Sequence, residues 1–534
     1  MNMAVYQKSL FIVALVVFGS MSKIESGRIL AIIPSPYPSH QIWNRALITA
    51  LLERGHNMTI LSPEVEPESN SNKKEIPLKG SYDLVKLKSF HEEMSGKSYF
   101  AVMRQQWRKS VEICNHQLHT EGALELLSMP PDAFDLILIE TILNDCFYLY
   151  IRHFGGGSKI PVVGLTAVGS GPWTDGIMGI RVPPSVSPLY VLPYTSHMSL
   201  WQRFHNALLT AFYSFGFSSY YLPAHQKIAE EMYGKPLPPL SDLGSNISII
   251  LANNHPAINP LQMKPPSVVE VGGLHCEQSK TLPSNLLQFV NKAEKGIIYV
   301  SFGEAIDKLP KAVEQSMIDA FGALGPKTRI LWKYDASYLE NQLPTNVLAQ
   351  SWMPQKDILG HPKTLLFVSH GGSLSVQEAI YHGMPMVGIP FLGEQDQNVK
   401  RLVSYGAAVE LEFESITKES LEDAISTILR NTSFRRKIHK LSSTFRDQPE
   451  DPLARAIFWT EYALRQRTGR IEHFHTPSKE YTWLTYYMVD IAFILMFLNV
   501  FSVVLIFYGC RYVLTYISSK DRSSKSYKPT KKRK

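Results

Sequence analysis

The sequence predicts an α/β protein: two doubly wound units in tandem, each a parallel sheet flanked by helices, followed by one membrane-crossing helix. Three observations predict it. Apolar runs of strand length alternate with helical stretches, twice over. A segment rich in proline and glycine, 256–285, separates the two series. Near the C-terminus, Met488–Tyr508 is a run of 21 mostly apolar residues, enough to cross a hydrocarbon core of about 30 Å. At 534 residues and 45% hydrophobic composition the chain has apolar material for two cores.

The elements follow in order. Residues 1–26 form a secretory signal pattern, with Lys8 ahead of the apolar run Leu10–Phe18 and small residues Ser20 and Ser22 beyond it. Residues 27–255 hold strand-like runs at Arg28–Ile33, Met58–Leu61, Phe134–Ile139, Pro161–Leu165 and Ile247–Leu251, with a helical stretch Ile42–Arg54 ended by Gly55. Residues 286–450 hold the second series: Gly296–Gly303, Thr328–Trp332, Val347–Ala349, Thr364–Val368, Pro385–Ile389 and Ala408–Leu411. A helical run, Ala454–Arg467, opens a segment 451–484 that leads to the anchor at 485–508 and a basic tail, 509–534. Asp490 is near enough to the membrane edge to reach headgroups, whereas Asn499 is mid-span.

The net charge of +7 is located in that tail, where nine Lys and Arg residues follow Gly509 against the single acid Asp521. The remainder carries 45 basic and 46 acidic residues, so nucleic acid is not an expected partner. By the positive-inside rule the tail is cytosolic and the body lumenal. The terminal Lys531-Lys532-Arg533-Lys534 resembles the dilysine retrieval signal of type I membrane proteins of the endoplasmic reticulum; a polybasic lipid contact is the other reading. Sequons at Asn57, Asn246 and Asn431 are compatible with lumenal exposure. Four cysteines, Cys114, Cys146, Cys276 and Cys510, are too few and too scattered to predict a disulfide framework or a zinc site. The pairs His116/His119 and His473/His475 read as surface histidines, so no metal is expected.

The most informative stretch runs from Trp352 to Asn398. The strand-like run Leu365–Val368 ends in Ser369-His370-Gly371-Gly372, and a helical pattern begins near Ser373. Glycines at a strand-to-helix turn let an anion approach the main chain, where free N–H groups and the helix dipole attract it. His370 adds a side-chain donor, and Ser373 and Ser375 follow in the first turn. Glu378, about 7.5 Å along the helix at about 1.5 Å per residue, suits a carboxylate accepting from ribose hydroxyls. Trp352 offers a face for a base to stack on, and Gln355 an amide for its edge.

Taken together, Trp352, Gln355, His370, Gly371, Gly372, Glu378 and the Glu394-Gln395 pair resemble the donor-binding signature of the UDP-glycosyltransferase family, in its membrane-anchored animal branch. The resemblance covers nearly the whole chain. It implies the GT-B fold, two Rossmann-like domains facing across a cleft, with UDP-sugar as co-substrate and the acceptor in the first domain. Neither unit carries GxGxxG, so no nicotinamide or flavin cofactor is expected.

The resemblance also places His40, in the loop after the first strand, at the family's catalytic histidine position. A supporting carboxylate would fix its tautomer. Register from Phe134-Asp135 puts Glu140 where relatives carry Asp, and Asp145 lies five residues on; both stay candidates. Ser301 and Gly303 match the loop near the diphosphate, but Glu304 stands where relatives place Ser. Glu394 replaces the usual Asp of the Asp-Gln pair, and the linker shows Gln262 and Lys264 near the place of a frequent arginine. The aromatic stretch Trp173–Phe204, with Trp173, Tyr190, Tyr194 and Trp201, suggests a lipophilic acceptor. Three readings follow: transfer of a hexose, glucose first, to a small lipophilic hydroxyl; the same transfer to membrane lipid; or a catalytically weak binder of UDP or lipophile. The acceptor stays unassigned, and a homo-oligomer is compatible with the sequence.

Overall fold

The computed structural model describes residues 26–67, 71–85, 97–259, 262–303, 308–339, 342–391 and 394–525. The signal pattern, Pro260, Glu304 and the terminal lysines lie outside the described residues. The chain divides into two compact units at His475.

The first unit holds two wholly parallel sheets. Strands β1 (Arg28–Ile32), β2 (Asn57–Ser62), β4 (Leu136–Glu140), β5 (Val162–Thr166) and β6 (Ile249–Ala252) match the predicted runs within a few residues. So do β8 (Gly296–Ser301), β9 (Thr328–Lys333), β10 (Val347–Gln350), β11 (Thr364–Ser369), β12 (Met386–Gly388) and β13 (Ala408–Glu410). Central strands β4, β5 and β8 are buried at every residue, because helices cover both faces of a parallel sheet.

Two further strands were not foreseen, β3 (Lys73–Pro77) and β7 (Val268–Glu270). The first sheet has seven strands in the order β3-β2-β1-β4-β5-β6-β7, so both are edge strands; the second has six, in the order β10-β9-β8-β11-β12-β13. Strand β3 has too many lysines to read as a strand core, and β7 follows Pro265-Pro266 inside the expected linker. Charge and proline are tolerated at a sheet edge, where one side has no ladder to disrupt.

The helix expected at Ile42–Arg54 begins earlier, at Pro38. Proline at the first helical turn has its φ preset and loses no hydrogen bond there. His40 is therefore a first-turn helical residue rather than a loop residue. Helix Pro452–Gln466 packs against the Pro38–Glu53 helix, and Glu461 pairs with Arg54.

The cysteines depart from expectation. Cys114, on helix Tyr99–Leu118, and Cys146, in the turn after β4, form a disulfide with Cα atoms 6.5 Å apart. Their separation of 32 residues gives no local signature, since helix packing brings them together. Cys276 and Cys510 are free.

In the second unit, helix Val489–Lys525 contains a span, Val489–Arg522, long and apolar enough to cross a membrane. It runs on past Tyr508 and Gly509, where the tail was expected to begin, because Tyr512, Val513, Leu514 and Ile517 continue a helical apolar pattern.

Candidate functional site

In an open α/β sheet, ligands collect beyond the carboxyl ends of the strands where the strand order reverses. Each sheet here has one such point, between β1 and β4 in the first and between β8 and β11 in the second.

At the first point the chain leaves β1, passes Pro34–Tyr37 and enters the Pro38–Glu53 helix, which holds His40 in its first turn. Glu140, the last residue of neighbouring β4, faces it. His40 Nδ1–H donates to Glu140 Oε1 at 2.5 Å, and both side chains are buried. That bond fixes the tautomer and leaves Nε2 with the lone pair. Glu140 Oε2 is buried with no partner among the described residues. Gln41 holds the preceding loop in place: its Nε2 donates to the carbonyls of Ile33 and Ser35, and its Oε1 accepts from Ser62.

Asp145 does not reach His40. It accepts from the Tyr221 hydroxyl at 2.6 Å, in a pocket where burial raises its pKa to about 6 and the Tyr221 bond opposes the rise. The five residues after Glu140 turn away from the strand end through Leu143, at φ 53°, into the 3-10 turn Asp145–Phe147. Of the two carboxylates the sequence left open, Glu140 makes the contact.

At the second point two serine-glycine turns stand side by side. Ser301 Oγ accepts from Gly303 N–H, and Ser369 Oγ accepts from Gly371 N–H. Gly303 and Gly371 have φ of 73° and 83°, a region that L-residues rarely occupy. Gly372 is the N-cap of helix Ser373–Tyr381 and has no side chain to offer, so the first-turn amides keep their N–H groups for a ligand. A Cβ on Gly372 would lie 2.5 Å from His370 Nε2. Burial pulls the His370 pKa down to about 4, so it stands here as a neutral donor rather than a cation.

Farther along, Gln355 donates to Ser375 Oγ at 3.1 Å and to Glu378 Oε2 at 2.7 Å. Burial raises the Glu378 pKa to about 7, with the Gln355 bond opposing. Trp352 is 65% exposed, an accessible flat face beside this group. Gln395 Oε1 accepts from the Phe391 N–H. Glu394 begins helix Glu394–Ser404, and burial raises its pKa while a backbone hydrogen bond opposes. Its charge bears on Tyr37 and Tyr190 of the first domain.

Asn398, one helical turn on from Glu394, escaped the sequence reading: its Nδ2 donates to Gly371 O at 3.0 Å and bonds Ser373 Oγ. Gln397 beside it donates to the carbonyls of Leu189 and Leu192, tying the helix to the first domain. Their adjacency to the Glu394-Gln395 pair was the available signal. The linker residues do not join the donor side: Gln262 bonds Ser187, and Lys264 pairs with Glu270.

The acceptor candidates divide. The Tyr190 ring packs edge-on against Trp173, and its hydroxyl donates to Gln106. Trp173 is buried with its indole N–H bonded to Thr166 and Gly169. Tyr194 bonds His205. Trp201 is a correction: it is 76% exposed on the outer face of helix Leu200–Gly216, because the inner face is taken by Asn206, Leu209 and Tyr213. Among the described residues the only grouping of potential metal ligands is Cys114, Cys146 and His225. Its sulfurs are bonded to each other and both His225 nitrogens have partners, Cys146 N–H and Ser110 Oγ.

Two Rossmann-like domains with facing switch points, one offering main-chain amides to an anion and the other a histidine, define a GT-B glycosyltransferase. The family model described as UDP-glucoronosyl and UDP-glucosyl transferase matches residues 27–523, and the chain belongs to that family. It is 30% identical to UDP-glycosyltransferase UGT5 of Dactylopius coccus, across 95% of this chain and 96% of that protein. It is 29% identical to UDP-glucuronosyltransferase 1A7 of Mus musculus, across 94% and 95%. Among solved structures it resembles the glycosyltransferase VinC in complex with DTDP (TM-score 0.56, 14% identity, 82% of this chain and 100% of that one). The calicheamicin glycosyltransferase CalG4 is similar in fold (TM-score 0.55, 17% identity, 83% and 99%).

Proposed function

We propose that the chain transfers a hexose, glucose first, from UDP-sugar to a hydroxyl of a small lipophilic acceptor, with inversion and with His40 as general base. The observation that carries this reading is the His40–Glu140 pair, which leaves the lone pair on Nε2. The acceptor O–H gives its proton to Nε2 as its oxygen bonds the anomeric carbon, and the bond from that carbon to the UDP oxygen breaks. Attack from the face opposite UDP inverts the configuration. Glu140 stabilises the imidazolium that forms. The charge growing on the leaving diphosphate meets the Gly372 amide, the helix N-terminus and neutral His370, with the Gly371 amide joining them as it leaves Ser369 Oγ. None of these steps calls on a metal.

On the donor side, Trp352 stacks on uracil, Gln355 reads its edge, Glu378 accepts from ribose, and Glu394 and Gln395 contact the sugar. Ser301, Gly303, Ser373 and Ser375 complete the cradle. Tyr190, which feels the Glu394 charge, and Trp173 packed against it form an apolar wall for the acceptor. Glucose rests on the similarity to proteins such as UDP-glucosyltransferase 2 of Dactylopius coccus, 28% identical over 95% of this chain. The basic tail supports a single-pass type I arrangement in the endoplasmic reticulum with a lumenal body.

The test is product formation by membranes carrying the chain, with UDP-glucose or UDP-glucuronic acid and a panel of phenols and membrane lipids, beside His40→Ala. Glucoside lost in the variant is the expected result. UDP binding without product from either donor overturns catalysis in favour of a binding protein.

A further inference from the structure

Between helices Pro172–Met178 and Leu200–Gly216 the first domain runs through residues 180–199 without a strand or helix. A loop of this kind takes its shape from the partners its backbone groups find. Leu192 N–H donates to Leu189 O at 2.9 Å, closing a turn with Tyr190 and Val191 at its centre. From inside the first domain Asn206 holds the approach to that turn: its Oδ1 accepts from Leu189 N–H, and its Nδ2 donates to the carbonyls of Pro184 and Ser187.

The far side of the turn is held by the second domain. Gln397 Nε2 donates to Leu189 O at 2.9 Å and to Leu192 O at 2.8 Å. A carboxamide nitrogen has two N–H groups, and here each takes one end of the turn. Leu189 and Leu192 are buried, so carbonyls left without Gln397 would be costly unless the turn moved. Tyr190, carried by the turn, packs its ring edge-on against Trp173.

Gln397 does not act on an isolated helix. Arg401 and Tyr405 follow it at intervals of four, along the same face of helix Glu394–Ser404 and just past its end. Arg401 donates to Ile258 O and the Tyr405 hydroxyl to Ala257 O, so this face grips the linker at its far end. On the adjacent face Asn398 grips Gly371 O. One helix thus begins with Glu394 and Gln395, steadies the glycine turn through Asn398, and holds the Tyr190 turn through Gln397.

We propose that Gln397 is a positioning residue for the transfer. By pinning both ends of the Leu189–Leu192 turn it sets the Tyr190–Trp173 wall in register with the sugar, and so decides which acceptors bring a hydroxyl to the anomeric carbon. The proposal rests on the transferase reading above, in which that wall faces the acceptor.

The test is initial-rate kinetics on membranes carrying the full chain, with UDP-glucose and whichever phenol of the panel the parent glucosylates fastest. Gln397→Met keeps the length of the side chain without N–H groups or charge, and Gln397→Glu keeps its shape without N–H groups. Each variant is first matched to the parent in its thermal transition, and either one alone decides the outcome. Expected is a rise of roughly tenfold in the phenol KM, with kcat changed less and the UDP-glucose KM unchanged. Amide hydrogen exchange across 187–192 should quicken in the same variants. Tyr405→Phe, which cuts a bond of the same kind to the linker, should not raise the phenol KM. An unchanged phenol KM in the folded variants, or an equal rise in both KM values, overturns the proposal. A parent that makes no glucoside from any phenol overturns the transferase reading and the proposal with it, so the two failures are told apart.

Discussion

The two switch points share one topology and solve different problems. On the proposed reading, at β8/β11 the working groups are main-chain amides, those of Gly372 and the first turn of helix Ser373–Tyr381, placed by the Gly303 and Gly371 turns. At β1/β4 they are two side chains, His40 and Glu140, 100 residues apart in sequence and 2.5 Å apart in space. Binding an anion needs many weak donors whose positions the local backbone sets. Moving a proton needs one basic atom whose orientation only a tertiary contact sets. The comparison predicts separable defects. His40→Ala should lower kcat by roughly 10²- to 10⁴-fold. Its UDP-glucose affinity, read by calorimetry, should be unchanged. Loss of both together would break the division of labour between the two points.

Within the first point, Glu140 and Asp145 can be told apart. Glu140→Gln keeps the shape but withdraws the negative charge from the imidazolium, and kcat should fall by roughly 10²-fold, less than on losing the base. Asp145→Asn should leave kcat within about threefold but cost about 1 kcal/mol of stability through its buried bond to Tyr221, seen as a lower thermal midpoint. The reverse pattern would exchange their roles.

What the sequence disclosed follows the same division. The second switch point was legible because its chemistry is local: Ser369 through Glu378 is a strand end, a glycine turn and one helix. The first was half legible. His40 could be placed, but choosing Glu140 over Asp145 needed the course of the chain after β4, set by Leu143 at positive φ and by the Cys114–Cys146 disulfide. None of that has a local sequence signature. The eleven strands foreseen are apolar runs; the two missed, Lys73–Pro77 and Val268–Glu270, are edges where composition is unconstrained. Trp201 misled because an aromatic that faces outward has the same letter as one that faces a ligand.

Within the second point, Gly372 tests whether the histidine and the amides act as one unit. Its φ of −59° suits alanine, so the backbone should tolerate the change, but the new Cβ would press on His370 Nε2 and turn the ring away. UDP affinity should fall about tenfold, or about 1.4 kcal/mol. His370→Ala should cost a similar amount, and the double variant should lose little more than either alone. Full additivity would mean that Gly372 acts through the amide and His370 separately.

The smallest expected effect sharpens the donor side through pH. Burial raises the Glu378 pKa to about 7 in the free protein, and ribose hydroxyls donate to its ionised form. Binding therefore favours deprotonation, so UDP-glucose affinity should rise with pH through about 7 and fall, a few-fold, as pH drops from 8 to 6. His370, with its pKa near 4, stays neutral over this range and adds no slope. UDP-glucose is the right probe, because it lacks the terminal phosphate of UDP that titrates in the same window. Glu378→Gln should bind more weakly and flatten the profile. A wild-type profile already flat between pH 6 and 8 would mean that Gln355 holds the carboxylate ionised before the donor arrives.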